Sequence, residues 1–150
     1  MKFLCLNPNH YYIIFTNKTS LISSQKKYMQ LQSLILEAWP NRELLKDAKY
    51  SDAVKAVIEE VDKGRLRTAS PTENARLNDE VGQGWVVNEW IKQAILLYFA
   101  VQPMETIEMP PFEFHDKIPL KKDFKNLGVR TIPGAISRYG AYIAKNVVQL

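Results

Sequence analysis

Histidine and cysteine, the residue types that most often do acid–base or nucleophilic chemistry, are scarce in this chain. His115 stands beside Asp116, a pair that can act as a general acid or base or contribute to a metal site. The other histidine is His10 and the single cysteine is Cys5, both near the amino terminus. We therefore expect His115 to be a surface or hydrogen-bonding residue, and we predict neither a metal site nor a Cys–His nucleophile.

A second group of candidates is acidic or glycine-rich. Glu59, Glu60 and Asp62 could supply a paired acid and base, but they lie mostly off the apolar stripe of a predicted helix, so a solvated helix surface is the expected role. Gly82-Gln83-Gly84 could form a phosphate-binding turn, yet it lacks the Lys-Ser/Thr of a P-loop and the pattern of a dinucleotide fingerprint. We predict no tightly bound cofactor.

Arg130, in the segment GVRTIP, is the remaining candidate. A guanidinium group offers a planar fork of donors that can hold a carboxylate through two hydrogen bonds. The residues alone leave three roles open. Arg130 could bind a carboxylate ligand, pair with Asp116 or Asp123, or point outward from a strand between Val129 and Ile132.

Composition and charge limit the class of protein. A chain of 150 residues with 46% hydrophobic and 24% charged residues is typical of a globular domain. The net charge is +4, but the basic residues are scattered, so no nucleic-acid partner is predicted. No apolar run approaches the roughly 20 residues that cross a bilayer, and Asn7-Pro8-Asn9 divides the apolar amino-terminal segment, so we predict neither a membrane span nor a signal peptide.

The elements that position these residues follow from periodicity. An apolar stripe at helical spacing predicts a helix over 29–39, and a second over 52–63 is predicted to begin at Ser51 or Asp52 and to stop at Gly64. A third, apolar nearly all round and therefore buried, follows Asn88. Residues 1–28 are expected to be an extension outside the fold.

Strand patterns are shorter. Alternating polar and apolar residues in 65–69, and less cleanly in 85–87, predict a hairpin across the long polar loop 70–84. Residues 104–109 are predicted to form a further strand.

The final segment repeats every six residues, as Gly134-Ala135-Ile136, Gly140-Ala141-Tyr142 and Asn146-Val147-Val148. A left-handed residue followed by a small or β-branched one and an apolar one is typical of a hexapeptide β-helix, in which three hexads make one coil. Since solenoids need several coils, we expect the chain to end inside its second domain.

Four segments carry a resemblance to a known family: DKGRLR (62–67), WVVNEWIKQAILLYF (85–99), METIEMPPFEFHDKIPLK (104–121) and GVRTIPGAISRYGAYIAKNVV (128–148). They resemble the N-terminal domain of tetrahydrodipicolinate N-succinyltransferases, followed by the first coil of a left-handed parallel β-helix. The resemblance covers about residues 29–150 and implies an α+β fold. It divides the chain into a helical domain with a β-hairpin over 29–127 and an incomplete coil over 128–150.

The resemblance also implies a function. Members of this family are cytoplasmic homotrimers that transfer succinyl from succinyl-CoA to the amino group of L-2-amino-6-oxopimelate in diaminopimelate and lysine biosynthesis. It implies that Arg130 binds a carboxylate of the dicarboxylic acceptor, whereas catalytic acids and the CoA groove lie in further coils. We therefore expect an inactive fragment with no catalytic residue of its own. The alternative is a stand-alone, non-catalytic module that binds an anionic metabolite or a partner subunit.

Overall fold

The computed structural model describes residues 18–71 and 84–150. Helices and small sheets alternate along the chain, which confirms the predicted α+β class and the helical character of its first part. The helices are α1 (Lys18–Ala38), a 3-10 turn (Arg42–Lys46), α2 (Ala48–Asp62), α3 (Glu89–Val101) and the short α4 (Phe124–Leu127). The strands are β1 (Ala69–Pro71), β2 (Trp85–Val87), β3 (Glu105–Met109), β4 (Phe112–Asp116), β5 (Arg130–Thr131) and β6 (Val148–Gln149).

Helices α1, α2 and α3 pack together around one apolar core, and we call these three helices the helical unit. The stripes predicted for the first two helices are confirmed. Helix α3 is less buried than its composition predicted, because Leu96 and Phe99 are exposed. The buried core residues of the three helices are Leu31, Leu34, Ile35, Ala38, Ala53, Val54, Val57, Ile58, Ile91, Ala94, Leu97 and Tyr98.

The predicted start of the first helix at Met29 is wrong. Within the described residues α1 begins at Lys18, and Met29 lies in its middle with its side chain exposed. Tyr28, just before the predicted start, packs against the core. Residues 1–17 lie outside the described part of the chain.

The start of α2 also differs from the prediction. The helix begins at Ala48, and the Asp47 side chain caps it by accepting a 2.9 Å hydrogen bond from the main-chain nitrogen of Lys49. The cap therefore lies before Ser51 and Asp52, because Asp47 is the acidic side chain that has extended backbone and can reach the first free N–H groups. The predicted end is confirmed, with Gly64 in the left-handed region at φ +70°.

Two antiparallel hairpins follow the helices. Strands β1 and β2 pair as predicted, but the first strand is three residues long and begins at Ala69, opposite Val87. The preceding segment instead turns after α2 and buries Leu66 in the core. Strand β3 confirms the predicted strand and pairs with β4. Most of the loop 70–84, including Gly82 and Gln83, lies outside the described residues.

The carboxy-terminal segment, residues 128–150, follows a repeat of six in its backbone as well as in its sequence. Gly134, Gly140 and Asn146 have positive φ angles of 95°, 97° and 69°, as their spacing predicts, and Gly128 adds a fourth such position at 66°. Three turns are closed by hydrogen bonds at the same interval, from the nitrogens of Ala135, Ala141 and Val147 to the carbonyls of Ile132, Arg138 and Ala144. Strands β5 and β6 pair in parallel, with Arg130 opposite Val148 three hexads later. We call residues 128–150 the coil segment.

Candidate functional site

Arg130 lies on β5 with its side chain exposed to solvent. Its main-chain nitrogen donates a 3.0 Å hydrogen bond to the carbonyl of Val147, which fixes the strand but leaves the guanidinium group unused. Within residues 18–71 and 84–150 the side chain of Arg130 has neither an ion-pair nor a hydrogen-bond partner. It is therefore an accessible cation on a hydrogen-bonded strand.

Asp116 and Asp123, the two acids considered as partners of Arg130, have other partners. Asp116 forms an ion pair with Arg138 instead, with 3.0 Å between Oδ2 and Nη2. Asp123 accepts a 2.6 Å hydrogen bond from the side chain of Asn126. Arg130 occupies an outward-facing position on a strand, and this position is compatible with binding a carboxylate.

The residue after Arg130 belongs to the opposite, inner face of the coil segment. Thr131 lies opposite Gln149 in the β5–β6 register, and both residues are half-buried. Gln149 donates a 2.6 Å hydrogen bond from Nε2 to Ser137 Oγ. Thr131 Oγ1 and Gln149 Oε1 are buried without a hydrogen-bond partner among the described residues. The inner face therefore carries three polar residues, Thr131, Ser137 and Gln149. They lie at multiples of six residues from one another, and this spacing is the signal that could have indicated them.

Two of the three candidate acids on α2, Glu60 and Asp62, have structural roles instead of the predicted position on a solvated helix surface. Glu59 is exposed as expected, but Glu60 is 4% exposed. Its carboxylate accepts hydrogen bonds from Lys27 Nζ at 2.9 Å, Tyr28 Oη at 3.0 Å and Arg65 Nε at 2.5 Å. With both oxygens occupied in this way, Glu60 is a structural carboxylate rather than a catalytic base.

The electrostatics of this cluster follow from its contacts. The hydrogen bonds from Arg65 lower the pKa of Glu60 to about 2, against the opposing effect of burial. Burial, together with the hydrogen bond to Glu60, raises the pKa of Tyr28 to about 12. Both groups therefore keep their charge states, anionic and neutral, across the physiological pH range.

Asp62, the third acid, is also removed from solvent. Its Oδ1 lies 2.6 Å from Lys121 Nζ, and the lysine side chain is 4% exposed. The prediction missed both Glu60 and Asp62 because their partners are distant in sequence, so the helical pattern alone assigned them to the surface.

His115 behaves as predicted. It is exposed on β4, and its Nδ1 lies 2.7 Å from Thr106 Oγ1 on the neighbouring strand.

The residues described by the structure contain no group of three or more His, Cys, Asp or Glu side chains that could hold a metal ion. The same part of the chain has no helix that is both long enough and apolar enough to span a bilayer.

A cavity of about 240 Å³ lies between the β3–β4 hairpin and the coil segment. Its walls are largely apolar and do not include Arg130, so it does not provide an obvious carboxylate site. The exposed strand that carries Arg130 is therefore the better candidate. The apolar side chains that line the cavity are Met109, Phe112, Phe114, Leu120, Phe124 and Ile136.

The proteins that this chain resembles are named as N-succinyltransferases, which are acyltransferases. Residues 30–101 match the family model described as Tetrahydrodipicolinate N-succinyltransferase N-terminal. A 2,3,4,5-tetrahydropyridine-2,6-dicarboxylate N-succinyltransferase of Bordetella petrii is 39% identical over 130 residues, which cover 80% of this chain and 44% of that protein. The protein of the same name from Paracidovorax citrulli is 39% identical over 129 residues, covering 79% and 44%. That of Neisseria meningitidis serogroup C is 37% identical over 131 residues, covering 80% and 45%.

The family that the four sequence segments resemble is therefore confirmed. Residues 30–101 are similar to the N-terminal domain of the tetrahydrodipicolinate N-succinyltransferase family, and a named relative extends this similarity over 80% of the chain. The chain spans less than half the length of the curated relatives that it matches.

Proposed function

We propose that this chain presents Arg130 to one carboxylate of the dicarboxylic acceptor in a tetrahydrodipicolinate N-succinyltransferase of lysine and diaminopimelate biosynthesis. The observation that carries the proposal is the exposed guanidinium of Arg130, which has no acidic partner within residues 18–71 and 84–150 and stands on a hydrogen-bonded strand. The relatives of the chain are named for succinyl transfer to a pyridine-derived dicarboxylate. A fixed guanidinium fork is chemically suited to orient such a ligand.

The proposal includes the assignment of the coil segment as the first coil of a left-handed parallel β-helix. Three features of its backbone support this assignment. Positive φ angles recur every six residues, turns closed by hydrogen bonds recur at the same interval, and β5 and β6 stack in parallel after three hexads. We propose residue 128 as the boundary between the two parts of the chain, because Gly128 is the first corner of the repeat.

In the proposed reaction the acceptor amine attacks the thioester carbonyl of succinyl-CoA, and coenzyme A leaves as the thiol. The contribution of Arg130 is to hold one end of the acceptor so that its amine is correctly oriented. The carboxylates of Glu60, Asp62 and Asp116 are engaged in ion pairs, so we propose that the chain binds the acceptor without transferring succinyl by itself. Succinyl-CoA as co-substrate, homotrimeric assembly and a cytoplasmic setting are parts of the proposal that rest on the family resemblance.

The test replaces the corresponding part of the Bordetella petrii protein with residues 18–150 and measures steady-state kinetics. Arg130→Lys and Arg130→Ala should each raise the KM for the acceptor at least tenfold, which corresponds to about 1.4 kcal/mol of lost binding, with the alanine variant more severe. Arg138→Lys, a change in the same segment that retains the ion pair with Asp116, is the matched control and should leave the KM close to that of the parent. If both Arg130 variants leave acceptor KM and turnover unchanged, Arg130 has a structural role and the proposal is wrong.

A further inference from the structure

A buried ion pair joins the end of α2 to a segment that lies far along the chain. Lys121 Nζ lies 2.6 Å from Asp62 Oδ1, and the two side chains are 4% and 17% exposed. Removing either partner would leave the other charge in a poorly solvated position, so the two side chains depend on each other. A buried ion pair adds little to the net stability of a protein, so the informative feature here is which segments the pair connects.

The Asp62 carboxylate has a second partner in the coil segment. The main-chain nitrogen of Gly140 donates a 2.8 Å hydrogen bond to the same Oδ1 atom that contacts Lys121. The main-chain nitrogen of Lys121 in turn donates to the carbonyl of Ser137 at 2.8 Å. One oxygen atom at the end of α2 therefore ties together the lysine segment and the turn that contains Gly140.

The turn is seated closely on the helical unit. Gly140 has a φ of +97°, and a Cβ atom at this position would lie 3.3 Å from Ile58 Cγ2 on α2. Two residues later the ring of Tyr142 lies against Gly64, where an added Cβ would come within 2.6 Å of it. The guanidinium of Arg67 lies 5.1 Å from the centre of the same ring. These contacts fix one corner of the coil segment on the end of α2.

The two ends of the coil segment are joined to each other by main-chain hydrogen bonds, and the corner at Gly140 lies in the chain between them. Asn146 donates from its main-chain nitrogen to the carbonyl of Gly128 at 2.9 Å, and Arg130 donates to Val147 at 3.0 Å. Ile132 donates to Gln149 at 3.2 Å on the other side of β5. Because the two ends are joined in this way, we expect a displacement of the corner at Gly140 to reach the strand that carries Arg130.

We propose that Asp62 and Lys121 are positioning residues, which hold the Arg130 strand in a fixed orientation on the helical unit and so pre-organise the carboxylate site. The inference rests on the proposed function of Arg130 for its ligand, but the positioning itself follows from the contacts of Asp62 and Lys121. A pre-organised cation binds an anion more tightly than a mobile one, because less ordering accompanies binding.

The test compares the 150-residue parent with Asp62→Asn and Lys121→Met. The first change keeps an acceptor for Gly140 while removing the charge, and the second removes the cation while retaining most of the side-chain volume. Lys121→Arg retains the charge and serves as the conservative variant should either change prevent folding. Glu59→Gln is the matched control, because Glu59 lies on the same helix and forms an exposed ion pair with Lys63.

Two readouts are recorded on each protein: amide hydrogen exchange, and an NMR titration with pimelate that follows the side-chain Nε of Arg130. In Asp62→Asn and Lys121→Met the amides of Gly140 and Arg130 should exchange at least tenfold faster, while those of Val57 and Leu97 change much less. The affinity for pimelate should fall about fivefold. Lys121→Arg should show smaller changes, and Glu59→Gln none.

The positioning role is contradicted if the amides of Gly140 and Arg130 exchange as in the parent, or if they accelerate by the same factor as those of Val57 and Leu97. The latter result would indicate uniform destabilisation. A failure of the proposed function is a different observation, in which the parent and Arg130→Ala give identical titrations with pimelate. In that case the exchange data still decide whether Asp62 and Lys121 position the strand.

Discussion

The helical unit and the coil segment are stabilised by different forces. In the helical unit Ile35, Val57 and Leu97 are completely buried, so the hydrophobic effect holds the three helices together. In the coil segment, whose residues are all described, Val129 is the only buried residue. Its shape comes from turns, a short parallel pairing and contacts with the end of α2. The coil segment is therefore expected to depend on the helical unit more than the helical unit depends on it.

The largest expected effect is a loss of stability from a core truncation. Leu97→Ala should lower the free energy of unfolding by about 3 kcal/mol, because it removes a fully buried side chain and leaves a cavity. Ile136→Ala, the matched change in the coil segment, should cost below about 1 kcal/mol because Ile136 is 53% exposed. Urea unfolding of both variants measures the difference. Equal costs would show that the two regions do not differ in the way described.

The next effect separates backbone strain from packing between the two regions. Gly64→Ala and Gly134→Ala both place a side chain at positive φ, at +70° and +95°. Only the first also brings the new Cβ within 2.6 Å of the Tyr142 ring, whereas nothing lies within 4 Å of the second. Gly134→Ala should cost about 1 kcal/mol and Gly64→Ala about 2 kcal/mol or more in thermal or urea unfolding. A larger cost at Gly134 would mean that Tyr142 does not pack on Gly64.

Glu60 provides a test within the helical unit that depends on pH. Its pKa is about 2 in the folded protein, against an ordinary value of 4.5, so its stabilising contribution is fully present above about pH 4.5. That contribution is lost as the pH falls through about 2. Glu60→Gln should lower stability by about 2 kcal/mol at neutral pH, because the hydrogen bonds lose their anionic acceptor. The variant should also lose less stability than the parent between pH 4.5 and 2. If both proteins lose the same stability over this range, Glu60 is not the cause of the decline.

A smaller effect concerns the first turns of α1. A shortened chain that begins at Met29 loses the hydrogen bonds from Lys27 and Tyr28 to Glu60 and should melt several degrees lower, corresponding to about 1 kcal/mol. A chain that begins at Ser23 retains both contacts and is the control. Were the Met29 chain as stable as that control, residues 23–28 would be dispensable, as the sequence pattern indicated.

Local patterns predicted the parts of the fold that depend on near neighbours. The stripe of Leu31, Leu34 and Ile35 identified the buried face of α1, and the spacing of Gly134, Gly140 and Asn146 identified the left-handed corners. Both signals arise because a helical or turn geometry repeats at a fixed interval along the chain.

The same local patterns could not predict the contacts that hold the candidate site in place. Asp62 has the spacing of a surface acid, and only the return of the chain at Lys121 and Gly140 gives it a structural role. The start of α1 at Lys18 was missed because residues 18–28 lack a regular apolar stripe, although Tyr28 contacts the core and Glu60. Arg130 was identified through the family resemblance, since its spacing alone left three roles open.

The most direct test of the contrast between the two regions is native-state hydrogen exchange measured residue by residue in dilute solution. The amides of Ile35, Val57 and Leu97 should exchange only through global unfolding. Those of Ala141 and Val147 should exchange through local opening, at a free energy at least about 1 kcal/mol lower. Equal or stronger protection of Ala141 and Val147 would contradict the account, because the coil segment would then be as stable as the helical unit on which it is seated.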